Sequence, residues 1–156
     1  MPFLVHLEPC IFLYRVLHDN KISDIGDYAF LGLKSLRILE LNKNRLKHMP
    51  TSLSHLESLV ELDLDENDIE TLPDNSFSRN RKLTLIQLHK NPIRSIGTRA
   101  FSHLPSLEKI VLSEVTNMFS FPDLNGTFNL TQIRLDRASI KVVPPGICHH
   151  RPWLKS

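Results

Sequence analysis

Glu61, Asp63, Asp65 and Glu66 put four carboxylates into six residues, interleaved with Leu62 and Leu64. Alternate residues of a strand share a face, so an extended segment here lines up acids on one side and leucines on the other. Side-by-side carboxylates can exchange protons, grip a cation or attract a basic surface. The first two uses need company. No His, Ser or Cys is brought beside Asp63 and Asp65 by the same alternation, and no glycine-rich phosphate loop occurs among only five Gly. His149 and His150 adjoin and point apart in an extended segment, without a third or fourth metal ligand. The expectation is a binding protein with no catalytic residue, no metal and no cofactor.

These acids ride on Leu59-Val60-Glu61-Leu62-Asp63-Leu64-Asp65-Glu66-Asn67-Asp68-Ile69. Apolar residues at its first, fourth, sixth and last positions, with Asn where the chain bends, form the LxxLxLxxNxL core of a leucine-rich repeat. Copies lie at Leu36-Leu39-Leu41-Asn44-Leu46 and Leu83-Ile86-Leu88-Asn91-Ile93. The first positions run Leu36, Leu59, Leu83, Leu107, Leu130 and Leu154, spaced by 23 or 24 residues. A unit this short holds a strand, a turn and at most one helical turn. Pro50, Pro73, Pro105, Pro122 and Pro144 disfavour anything longer between strands. The expected fold is an α/β leucine-rich-repeat solenoid, with a curved parallel sheet on the concave face and short irregular or single-turn helical convex segments. Residues 12–156 make an array of about six units, and residues 1–11 are unassigned.

Within each unit the first, fourth and sixth positions face the core, and the third, fifth, seventh and eighth point to the concave side. Those outward positions are Ile38, Glu40, Asn42 and Lys43; Glu61, Asp63, Asp65 and Glu66; Leu85, Gln87, His89 and Lys90; Lys109, Val111, Ser113 and Glu114; and Gln132, Arg134, Asp136 and Arg137. Acid concentrates in the third strand with Glu40 beside it, then gives way to mixed and basic character. Such a patch steers a basic protein surface; the competing reading is an ordinary solvated face. At the turn, Asn20, Asn44, Asn67 and Asn91 can donate to and accept from unpaired backbone groups, continuing from unit to unit. Val115 and Ala138 end that series, so the last turns must be satisfied differently. The first unit is damaged, because Arg15 falls where an aliphatic residue belongs; a bulge or a faulty gene boundary would each produce this.

At 156 residues, with 41% hydrophobic and 23% charged residues, the composition is that of a folded chain. A net charge of +2 without a Lys/Arg run of five argues against nucleic acid. No window of 18 apolar residues is present to cross a membrane. Met1–Glu8 lacks a basic stretch and carries Glu8 in its apolar part, so it reads as a strand remnant or alternative start instead of a signal peptide. About six repeats separate Cys10 from Cys148. At ~4.8 Å per strand they fall beyond the roughly 7 Å reach of a disulfide, and Cys148 takes a core position. Sequons occur at Asn125-Gly126-Thr127 and Asn129-Leu130-Thr131. Asn125, in a Gly-containing loop, is the better placed; Asn129 abuts Leu130, where a glycan would be crowded.

The irregular later units carry a resemblance. Ser120-Phe121-Pro122-Asp123-Leu124-Asn125-Gly126-Thr127, then Leu130-Thr131-Gln132-Ile133-Arg134-Leu135 and Val143-Pro144-Pro145-Gly146-Ile147-Cys148, resemble the ectodomain of leucine-rich-repeat-containing G-protein-coupled receptors. The branch is the one with the R-spondin receptors and the insect bursicon receptor, where a similar block follows turns like Asn91-Pro92-Ile93 and runs like Ala100-Phe101-Ser102-His103-Leu104-Pro105. The likeness covers residues 12–154 and is specific over 91–148.

The resemblance implies a horseshoe that captures an extracellular protein, R-spondin-like, bursicon-like or of another glycoprotein-hormone type. In a full-length parent the horseshoe sits on the outer face of the plasma membrane and relays binding to a seven-helix domain. Carried across residue by residue, the acidic contact surface maps to Glu61, Asp63, Asp65 and Glu66, with Glu40 and His89 at its margins. The family's cysteine-bearing cap, later repeats, hinge and seven-helix region are not in this sequence, as expected of a fragment, a splice product or a decoy. An extracellular matrix or adhesion protein and an intracellular leucine-rich scaffold are the alternatives.

Overall fold

A computed structural model describes residues 13–115 and 118–145. Cys10, Cys148, His149, His150 and Leu154 lie outside the described residues. One three-residue strand recurs in each unit: β1 (Tyr14–Val16), β2 (Ile38–Glu40) and β3 (Glu61–Asp63). A short β4 (Thr71–Leu72) follows on the return, then β5 (Leu85–Gln87), β6 (Ser95–Ile96), β7 (Lys109–Val111) and β8 (Gln132–Arg134). All pairings are parallel, in the order β1-β2-β3-β5-β7-β8. Such an order needs a right-handed coil, each unit returning to start the next strand beside the last. β4 and β6 pair in a second parallel sheet that the repeat pattern does not announce.

The core is the stack of motif leucines. Leu36, Leu39, Leu41, Leu59, Leu64, Leu83, Ile86, Leu88, Leu107 and Leu130 are wholly buried, each contributing about 1.5–3 kcal/mol of apolar transfer. On the return side Phe77 and Phe101 stack with ring centres 5.9 Å apart. Pro50 leads into one 3₁₀ helix, Thr51–His55; among the described residues the other returns are turns and irregular segments. Asn80 takes a place held by Leu33, Leu56 and Leu104 in other units, and donates to the Leu53 and Leu56 carbonyls at 2.8 and 2.9 Å. In the first unit no residue is missing: Arg15 lies opposite Leu39 and Val16 opposite Glu40, in register with the rest.

The Asn series forms a shared ladder. Asn67 donates to the Leu41 carbonyl of the preceding unit at 3.0 Å and to Leu64 of its own at 3.1 Å, while its Oδ1 accepts from the Leu46 amide at 3.0 Å. Asn44 and Asn91 repeat all three bonds. Each inner carbonyl thus serves two asparagines. Where Val115 breaks the series, the Ile93 amide turns instead to the Asn91 carbonyl at 2.8 Å. The residue before each ladder position, Asp19, Lys43, Glu66, Lys90, Glu114 and Arg137, is left-handed, with φ between 52° and 58°. None is glycine, and the amides of Asp19, Lys43, Glu66, Lys90 and Glu114 donate to carbonyls of the next unit, which helps hold a conformation that costs roughly 1 kcal/mol or more.

Candidate ligand-binding face

Register fixes which concave side chains are neighbours. Glu61 stands between Ile38 and Leu85, and Asp63 between Glu40 and Gln87. Facing residues of adjacent strands are separated by about 4.8 Å, so Glu40, Glu61 and Asp63 form one compact anionic group. All three are half-buried, held up by the buried Leu39 and Leu62 between them. With Ile38, Leu85 and Gln87 they line a hollow of about 90 Å³. Among the described residues none of the three carboxylates forms an ion pair.

The other two acids of this unit are committed locally. Asp65 lies two residues beyond the end of β3. Its Oδ1 accepts from the His89 backbone amide at 2.6 Å, and its own amide donates to Asp63 Oδ1 at 2.9 Å. Burial, and then the neighbouring Asp63 carboxylate, push the Asp65 carboxyl up to about 6 despite the opposing His89 amide. Glu66 is exposed and lies 4.0 Å from Lys90. Further ion pairs tie the same two units together, Glu70 to Arg94 at 3.4 Å and Asp74 to Arg99 at 3.6 Å. Of the six expected contact residues, Glu40, Glu61 and Asp63 are thus brought together uncompensated; Asp65, Glu66 and His89 adjoin them but are engaged with one another or with Lys90.

Toward β8 the charges cancel in pairs. Arg134 meets Asp136 at 3.4 Å and Arg137 meets Glu114 at 3.3 Å. The Ser113 hydroxyl donates to Asp136 at 2.8 Å and holds its carboxyl below the usual range. Arg134 and Arg137 are thus each paired, whereas Glu40, Glu61 and Asp63 form no ion pair among the described residues. Both sequon asparagines are exposed. Asn125 is in a turn where its amide donates to Asp123 Oδ2 at 3.2 Å, and Thr127 beside it is wholly buried. Asn129 lies on the flank where β8 begins.

Sequence reading placed Ile38 and Leu85 on the concave face without drawing out that they stand on either side of Glu61 as an aliphatic setting. The signal was available, since the repeat spacing alone aligns positions 38, 61 and 85.

With the coil and its ladder in view, the sequence matches the family described as Leucine rich repeat over residues 16–69 and 57–117. The chain belongs to the leucine-rich repeat family. It is 37% identical over 110 residues to Leucine-rich repeat-containing G-protein coupled receptor 5A of Xenopus laevis. It is 37% identical over 109 residues to receptor 6 of Homo sapiens, and 34% over 111 residues to human receptor 4. These alignments cover 70–71% of this leucine-rich-repeat chain and 11–12% of the receptors. The resemblance read from its later units holds: these receptors' repeats are its relatives. A chain from the structure of the Drosophila Toll–Spatzle complex superposes with a TM-score of 0.57 at 27% identity, covering 59% of this chain and 12% of that one. The relatives are membrane receptors; no described helix here is long and apolar enough to cross a membrane.

Proposed function

We propose that this chain captures an extracellular protein on its concave face, with Glu40, Glu61 and Asp63 at the centre of the contact and Asp65, Glu66 and His89 around it. The observation that carries this reading is the trio of neighbouring carboxylates that form no ion pair among the described residues. The matched receptors and the Toll–Spatzle structure support an extracellular protein as the partner.

The ligand is a basic surface of an R-spondin-like, bursicon-like or other glycoprotein-hormone-type protein. In a full-length parent, capture takes place at the outer face of the plasma membrane and is passed to a seven-helix domain. Unpaired carboxylates raise the rate of encounter with such a surface and penalise acidic competitors.

Binding of purified candidate ligands is measured across salt concentrations for wild type and for a Glu40→Gln/Glu61→Gln/Asp63→Asn variant. The variant is expected to bind at least ~10-fold more weakly at low salt, mostly through slower association, with the difference shrinking as salt rises. Undiminished, salt-insensitive binding would remove the anionic trio from the interface. Absence of binding by the folded wild type across the ligand panel would favour the matrix or scaffold alternatives.

A further inference from the structure

Phe128 is 68% exposed. The corresponding position of the other units carries Lys34, Glu57, Arg81 or Pro105. Among these positions Phe128 alone is a large apolar ring, and the next residue is the sequon asparagine Asn129. Phe128, Asn129, Glu108 and Thr131 line a depression of about 380 Å³ where β7 and β8 begin. The Thr131 hydroxyl reaches across to the Glu108 carbonyl at 3.2 Å, joining the two units at that point. Asn129 itself is exposed, and its amide has no hydrogen-bond partner among the described residues.

We propose that Asn129 is N-glycosylated and that its first sugar lies across Phe128 in this depression. The inference rests on the reading that the chain faces the secretory compartment. Asn129 Nδ2 bonds to the anomeric carbon of an oligosaccharide donated by a lipid pyrophosphate; the amide gives up one proton and the lipid pyrophosphate leaves. The apolar C–H face of a pyranose suits the electron-rich face of an exposed ring, and the open depression has room for it. Asn125, also exposed, differs in that its amide already donates to Asp123 Oδ2 at 3.2 Å. The glycan leaves from the flank ahead of the strands, clear of Glu40, Glu61 and Asp63.

The test expresses the full chain behind a cleavable secretion leader in animal cells. Enzymatic glycan removal in ¹⁸O water followed by peptide mass spectrometry reads occupancy at each Asn. Asn129 is expected to be labelled. An unlabelled Asn129 overturns the site, and labelling of Asn125 alone does so while leaving the secretory reading intact. Seating on the ring is read by a cycle of melting temperatures for wild type, Asn129→Gln, Phe128→Ser and the double variant. Asn129→Gln should lower Tm by about 2–4 °C when Phe128 is present and have little effect in the Phe128→Ser background. Equal effects in both backgrounds would overturn the seating. The compartment itself is tested separately, by locating the endogenous protein.

Discussion

Replacing Asn67 with alanine tests whether the ladder, and not only the leucine stack, holds neighbouring units in register. The side chain makes four backbone bonds, three shorter ones at 3.0, 3.1 and 3.0 Å and a longer one to the Asp65 carbonyl at 3.3 Å. Its loss falls unevenly on the partners. The Leu41 carbonyl keeps Asn44, and the Leu64 carbonyl keeps Asn91. The Leu46 amide, in a residue only 1% exposed, keeps nothing. Two shared bonds at roughly 0.5–1.5 kcal/mol each and one orphaned buried donor at roughly 1–3 kcal/mol sum to about 2–6 kcal/mol. Asn20→Ala is the control. Asn20 is exposed and, among the described residues, only donates, to the Leu17 and His18 carbonyls; Leu17 keeps Asn44, so the loss should stay below about 1 kcal/mol. Urea unfolding measures both variants, and hydrogen exchange follows the Leu46 amide. Equal costs for the two, or unchanged protection at Leu46, would refute this assignment of roles.

Other perturbations probe separate layers. Leu64→Ala truncates a wholly buried side chain and should cost ~2–5 kcal/mol, with exchange protection lost in its own and adjacent units first; uniform loss along the array would contradict nearest-neighbour stability. Asp65 holds its proton up to about pH 6, against 3.8 for an ordinary carboxyl. Between those values the folded chain keeps a proton that the unfolded chain has lost, so stability falls as pH rises through 6. The rise corresponds to roughly 3 kcal/mol, reduced by solvent contact to on the order of 1 kcal/mol. Asp65→Asn, which can still accept from the His89 amide, should recover about that much at pH 7.5 and little at pH 4. Gly97→Ala would set a Cβ 2.6 Å from the Asp74 nitrogen and should lower stability by ~1–3 kcal/mol, read by thermal unfolding.

The fold was legible because a 23- or 24-residue period fixes both the strand and its partner. Leu36, Leu59 and Leu83 announce the core, and the break at Val115 announces a changed turn. The left-handed residue at this turn, before the four asparagines and equally before Val115 and Ala138, was not legible. Its types, Asp19, Lys43, Glu66, Lys90, Glu114 and Arg137, include no glycine, so the conformation is imposed by hydrogen bonds between units and not by local preference. Asn80 is a second case: a polar residue at a leucine position finds its acceptors, the Leu53 and Leu56 carbonyls, in the preceding coil. At the site, the acids could be read off one by one. Their division into three open carboxylates and two engaged ones could not, because Asp65 depends on the His89 backbone and Glu66 on Lys90, both a full unit away.

The central claim is that the concave face receives the ligand, and site-specific photocross-linking tests it most directly. A photoreactive residue replaces Gln87, beside Asp63 on the inner face, or Arg79, exposed on the return side. Each protein is irradiated with an R-spondin-like or bursicon-like ligand. Covalent capture at position 87 and not at 79, suppressed by the Glu40/Glu61/Asp63 neutralisation, is the predicted result. Capture at position 79 alone, or capture at 87 that survives neutralisation and high salt, would contradict it.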